Sequence, residues 1–233
     1  MLPTEGKYAG AFLFVCLLTG AILGVRPDLD LAVSGLFYTP GQGFLLAVSP
    51  VLEGFRTAIW DLSIVVFLVT LLGVILALFR RRLGPVPSGV WIYLFTIYVL
   101  GPMLLVNGIL KAHWGRARPA HVVEFGGQYQ FTPFWWPSDQ CLKNCSFVSG
   151  EVAAAFAVSL AVLILVGTAG RRLGGALRWA CRAFALVLPL LVMAQRVAAG
   201  RHFLSDVIFA GLFVLLLAYV LKPLLKIGRR VTD

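Results

Sequence analysis

Apolar residues come in six long blocks, with the polar residues gathered between them. The blocks run Tyr8–Val25, Trp60–Phe79, Val90–Leu110, Ser149–Val166, Trp179–Ala199 and Phe203–Leu224. A helix needs roughly 20 residues to cross the hydrocarbon of a bilayer, and each block is close to that length. The pattern predicts an all-α polytopic membrane protein, with six transmembrane helices in one domain covering residues 1–233. The first block is longer than the apolar part of a secretion signal, and Arg26-Pro27-Asp28 behind it offers no small-residue cleavage site. It is therefore expected to stay as a span.

Composition agrees with the pattern. Hydrophobic residues make up 60% of the chain and charged residues 13%, against about 25% charged in an average soluble domain. A net charge of +10 in a soluble protein would suggest nucleic acid. In a membrane protein it reads through topology, because Lys and Arg collect on the cytoplasmic side. Arg80, Arg81 and Arg82 follow the second block; Arg171, Arg172, Arg178 and Arg182 follow the fourth; Lys222, Lys226, Arg229 and Arg230 close the chain. An even number of spans puts these segments and both termini on one side, which the positive-inside rule makes cytoplasmic. The segments 26–59, 111–148 and the turn at Gly200 then face outward, toward the periplasm of a bacterial inner membrane. Leu29–Tyr38 in the first outer loop is amphipathic and suited to the interface. Phe131, Phe134, Trp135 and Trp136 in the second suit the head-group level, as anchors before substrate contacts.

The outer ends of the spans carry an unusual set of polar residues. Lys111 and Arg118 follow the third block, Ser149-Gly150-Glu151 opens the fourth, and Arg196, His202 and Asp206 straddle the turn between the fifth and sixth. Charge at membrane depth is costly and needs a reason. Singly, each residue has a bland one: Lys111 snorkels, Arg118 and Arg196 anchor, Ser149 caps, and His202 pairs with Asp206. Together, on one face, they suggest an anion site with a nucleophile. The arginines can grip phosphate in a fork, and free N–H groups at the start of a helix favour an anion. Asp206 lies four residues after His202, where it can fix the imidazole tautomer. Of the cysteines, Cys16 and Cys181 read as buried small hydrophobes. Cys141 and Cys145 are either a disulfide bracing the fourth span or two free thiols. The histidines are not at zinc-ligand spacing.

The run Lys111 to Arg118-Pro119, then Ser149-Gly150, then Arg196 to His202 to Asp206 resembles the three-part signature of the type 2 phosphatidic acid phosphatase superfamily. The resemblance covers nearly the whole chain, and it implies metal-independent hydrolysis of lipid phosphates through a phosphohistidine, without a cofactor. His202 would be the nucleophile and Asp206 its orienting carboxylate. Lys111, Arg118, Ser149, Gly150 and Arg196 would bind the phosphate. The implied partners are a lipid phosphate and the bilayer, not nucleic acid. Some bacterial lipid A phosphatases belong to this superfamily, so lipid A or another envelope lipid phosphate is the expected substrate, beside phosphatidylglycerol phosphate, phosphatidic acid and polyprenyl diphosphate.

Three positions depart from the family pattern. Glu151 stands where a proton-donating His is usual, Val148 replaces a Pro, and Gln195 replaces a Ser. Glu151 could donate the proton itself, contact a substrate amine or hydroxyl, or offset surplus cations. Two rival functions stay open at this level: a phosphotransferase using the same phosphohistidine, and a non-catalytic lipid-phosphate binder or transporter.

Overall fold

The computed structural model describes residues 3–170 and 173–225, and is all-α apart from one two-residue hairpin. Of the basic residues used for orientation, Arg171, Arg172, Lys226, Arg229 and Arg230 lie outside the described residues. Five helical segments are long and apolar enough to cross a membrane: α3 (Pro50–Leu78), the rod Ser88–His113, α6 (Gly150–Ala169), α7 (Gly175–Ala198) and α8 (Leu204–Leu224). Before them, α1 (Pro3–Val25) and α2 (Asp28–Gly35) meet at an 83° bend, and the bent pair is the candidate for a sixth span. The chain is a multi-pass membrane protein.

Two of these segments differ from the expectation. The second span begins at Pro50, ten residues before Trp60, because Ser49 caps it by accepting from Leu52 N at 3.5 Å and Pro50 suits the first turn. That added length is polar on one side, where Arg56 pairs with Glu53. The Ser88–His113 rod is α-helical from Ser88 to Tyr98 as α4, π-helical over Val99–Leu110, and α-helical again over Lys111–His113 as α5. Pro102 lies inside the π stretch, where it cannot donate to the preceding turn, and its own carbonyl accepts from Asn107 Nδ2 at 2.6 Å.

Helix α6 is the centre of the bundle, packed on α3, α4, α7 and α8. Its buried face is rich in Ala153, Ala154, Ala155, Ala157 and Ala161. Small side chains let helix backbones approach closely, which is how helices associate where lipid removes the hydrophobic drive between them. Trp91 of α4 lies flat against Gly73 of α3, leaving no space for a side chain there. Cys16 and Cys181 are half-buried rather than buried, since α1 and α7 turn much of their surface outward, where lipid is the solvent.

The outer loops fold onto this bundle. Helix α2 does not simply float in the interface: Asp30 is 2% exposed and Ser34 fully buried. The hairpin pairs Tyr38–Thr39 with Gly43–Phe44. It delivers the Phe44 ring against Gly200, where a Cβ would sit 2.5 Å from the ring and φ is +62°. The aromatic segment divides. Phe131 packs on Phe203 and Phe134 stacks on Phe209 at 4.4 Å, while Trp135 and Trp136 stay exposed.

Replacing Gly73 with Val should force α3 and α4 apart, at a cost of about 1–3 kcal/mol. Thermal unfolding in detergent should show a lowered midpoint for Gly73→Val. Gly54→Val, in the same helix with open space around it, should leave the midpoint nearly unchanged.

Candidate active site

The bundle brings the three polar runs together at one end. The N-terminus of α6 supplies Ser149, Gly150 and Glu151, the C-terminus of α7 supplies Arg196, and the turn into α8 supplies His202 and Asp206. Arg80–Arg82 and Arg178 sit at the far ends of α3 and α7. Ser149 caps α6, its Oγ accepting from Val152 N at 3.4 Å, and its own N–H donates to Asp206 O at 3.3 Å. Gly150 packs closely on the π-helical stretch, and a Cβ there would lie 2.7 Å from Asn107 Oδ1 and push that amide aside.

His202 is 1% exposed, and its Nδ1 lies 2.8 Å from Ser146 O. A carbonyl only accepts, so Nδ1 carries the proton and a neutral ring leaves Nε2 with its lone pair free. Asp206 Oδ2 lies 3.8 Å from Nδ1, beside the imidazole but beyond a direct hydrogen bond. Asp206 instead holds the residues on either side of the imidazole. It accepts from Ser146 Oγ at 2.5 Å and from Phe203 N at 2.8 Å. The second bond also caps the start of α8, the place where a carboxylate best satisfies free N–H groups.

Nε2 of His202 faces Glu151 Oε2 at 3.7 Å, and Glu151 Oε1 lies 3.3 Å from Arg196 Nη1. Lys111 adds a second cationic neighbour to the same carboxylate. Oε2 is buried and has no hydrogen-bond partner among the described residues. Gln195 accepts from Arg196 Nε at 2.5 Å, so the residue at the usual Ser position steers this guanidinium. Arg118 donates through Nη2 to Asn144 O at 2.8 Å. Burial lowers its pKa, yet a guanidinium starts so far above neutrality that it stays charged. Cys141 and Cys145 are joined by a disulfide, with Cα atoms 5.5 Å apart, just before the Ser146–Gly150 segment.

Arg116 was not among the residues picked out from the sequence, yet it is the most buried cation of the site. It is 0% exposed and donates to Asp206 Oδ1 at 2.6 Å, Asp30 Oδ2 at 2.8 Å, Ser205 Oγ at 2.8 Å and Thr132 O at 2.8 Å. Its guanidinium carbon also lies 4.4 Å from the Phe203 ring centroid. Asp30 completes the cluster through Ser205 N at 2.7 Å and Ser205 Oγ at 2.6 Å. The one available signal was a third cation between Lys111 and Arg118; nothing near Asp30 announced its partner.

This arrangement can bind a tetrahedral anion against several cations and present a free imidazole nitrogen to it. The chain is similar to proteins named as phosphatases. The sequence model of the PAP2 superfamily matches residues 89–227. A lipid A 4'-phosphatase of Francisella tularensis subsp. novicida (strain U112) is 29% identical over 222 residues, covering 91% of this chain and 93% of that protein. A lipid A 4'-phosphatase of Rhizobium leguminosarum is 39% identical over 114 residues, 49% of this chain and 46% of that protein. The crystal structure of a transmembrane PAP2 type phosphatidylglycerolphosphate phosphatase from Bacillus subtilis superposes with a TM-score of 0.60 at 21% identity, over 95% of this chain and 97% of that one.

Substituting Arg116 by Met strands two buried carboxylates, which should cost about 3–5 kcal/mol. Arg56→Met removes only the more exposed pair with Glu53 and should cost about 1 kcal/mol or less. The difference should appear as a much larger drop in the thermal midpoint for Arg116→Met.

Proposed function

This chain belongs to the PAP2 superfamily, and we propose that it is a lipid phosphate phosphatase working through a phosphohistidine on His202. The observation that carries this reading is the pairing of a tautomer-locked imidazole with a cationic cluster at one end of the bundle. Nε2 attacks phosphorus, the Nε2–P bond forms, and the bond from phosphorus to the lipid oxygen breaks. Lys111, Arg118, Arg196, the Ser149 hydroxyl and the Gly150 amide stabilise the charge on the equatorial oxygens. Water then attacks the phosphohistidine, the Nε2–P bond breaks, and inorganic phosphate leaves with the imidazole restored.

The leaving lipid oxygen needs a proton, and Glu151 is the acid best placed to give it. In the empty site its carboxylate offsets Arg196 and Lys111. A phosphate dianion entering beside it repels that charge, and taking up one proton relieves the repulsion while loading the acid. During hydrolysis the same carboxylate takes the proton back from water. Arg and Lys supply here the positive charge that a metal supplies elsewhere, so we expect no metal requirement.

Lipid A or a related envelope glycolipid is the substrate class favoured by the relatives, three of which are named as lipid A 4'-phosphatases. The basic residues at the opposite end of the bundle favour the cytoplasm for that end and the periplasm for the site.

Purified protein should release inorganic phosphate from lipid A in the presence of EDTA. His202→Ala should reduce release to background, and Glu151→Gln should slow it by about a hundredfold or more. Full release by His202→Ala would overturn the phosphohistidine, and loss of release in EDTA would overturn metal independence. Unchanged release by Glu151→Gln would remove Glu151 as the acid.

A further inference from the structure

Beside Arg118, on the outer face, lies a groove of about 590 Å³ that the phosphate chemistry does not use. It falls within the size range of small-molecule sites, about 300–1,000 Å³. Its walls include His121, Gln128, Tyr129, Gln140, Lys143 and Asn144. We propose that this groove is a saccharide subsite, which takes the sugar of a glycolipid phosphate whose phosphoryl group lies on the neighbouring cradle. The proposal rests on the phosphatase reading above and extends it from the phosphate to the rest of the head group.

The lining decides against an acyl chain. Leu142 is the one large aliphatic side chain of the wall, and at 95% exposure it points away from any enclosure. The planar amides of Gln128 and Asn144 each offer donors and acceptors, matching the paired hydroxyls of a sugar ring. Tyr129 is 47% exposed and presents an aromatic face with a hydroxyl at its tip. Partial burial, with Arg118 and Arg201 nearby, lowers the pKa of His121, so at neutral pH its ring is neutral and both donates and accepts. Lys143 is the wall's added cation, and a mostly neutral surface suits a sugar better than a second phosphate.

The walls are also held in place before any ligand arrives. Gly127 N donates to Val122 O at 2.8 Å, and the amides of Gln128 and Tyr129 both donate to His121 O at 3.0 Å. A Cβ at Gly127 would fall 2.1 Å from that same oxygen, so only glycine closes this turn. The other wall is the Cys141–Cys145 disulfide loop, tied back by Cys145 N to Lys111 O at 3.4 Å. Gln140 Oε1 accepts from Gln130 N at 2.8 Å, linking the segments. Arg118 joins the groove to the cradle by its bond to Asn144 O. Preformed walls bind without the entropic cost of ordering loops.

The test compares lipid A with phosphatidic acid, which carries a phosphate monoester but no sugar, using wild type and the double variant Gln128→Ala/Tyr129→Ala. These side chains hold no bond of the turn, whose amides and carbonyls remain. The variant should lower kcat/KM on lipid A by about tenfold while changing that on phosphatidic acid less than twofold, as the loss of two or three hydrogen bonds implies. Calorimetry with deacylated lipid A should show the same weakening without turnover. Equal losses on both lipids, or no loss on either, would overturn the subsite. If wild type releases phosphate from neither lipid but deacylated lipid A still binds it more tightly than the variant, the phosphatase reading fails and the subsite stands. If neither release nor differential binding is seen, both fall.

Discussion

Arg116 carries a full charge with no exposure to water, and a buried guanidinium is tolerable only with carboxylates and acceptors around it. Asp206 and Asp30 meet that demand from opposite ends of the sequence, 90 and 86 residues away from Arg116. The consequences spread outward. Asp206 is held so that it caps α8 and bonds Ser146, and Ser146 in turn presents its carbonyl to His202. Asp30 is held so that α2 folds back onto the bundle instead of lying loose at the interface. One buried cation thus couples the N-terminal elbow, the second outer loop and the helix that follows the imidazole.

The second feature is a surplus of positive charge next to that rigid cluster. Lys111, Arg118 and Arg196 converge where Glu151 supplies the nearby negative charge, and Arg201 lies beside them. A carboxylate 3.3 Å from Arg196 Nη1 and 3.7 Å from Nε2 offsets one of these charges and leaves the site net positive. Entry of a phosphate then replaces one anion by another. On the proposed mechanism, Glu in place of His in the second run would alter how the site handles its proton and leave the roles proposed for His202, Lys111, Arg118 and Arg196 unchanged.

Much of this was legible in the sequence. Long apolar blocks announce spans directly, and α1 with the five long apolar helices corresponds to the six blocks. Charged residues at span ends stand out because membrane depth makes them costly, so His202, Asp206, Arg196, Lys111 and Glu151 were visible. Helix starts were less so: α3 begins at Pro50 because a Ser cap and a first-turn Pro act beyond the reach of a hydropathy window. The Ser146 carbonyl was invisible, since a backbone oxygen has no residue signature. Asp30 and Arg116 were missed because nothing in the sequence links two charges that lie 86 residues apart. For the same reason Phe131 and Phe134 read as interface anchors, although packing against Phe203 and Phe209 turns them inward.

The covalent step is the claim on which the chemistry stands. The most direct measurement is rapid quenching of the purified protein during turnover of lipid A, followed by peptide mass spectrometry under conditions that preserve phosphohistidine. A phosphohistidine mechanism predicts one acid-labile phosphoryl group on the peptide that contains His202, enriched when water attack is slowed in Glu151→Gln. Turnover at the normal rate with no phosphoryl group on His202 at any quench time would contradict it, and would point to direct attack of water on the lipid phosphate.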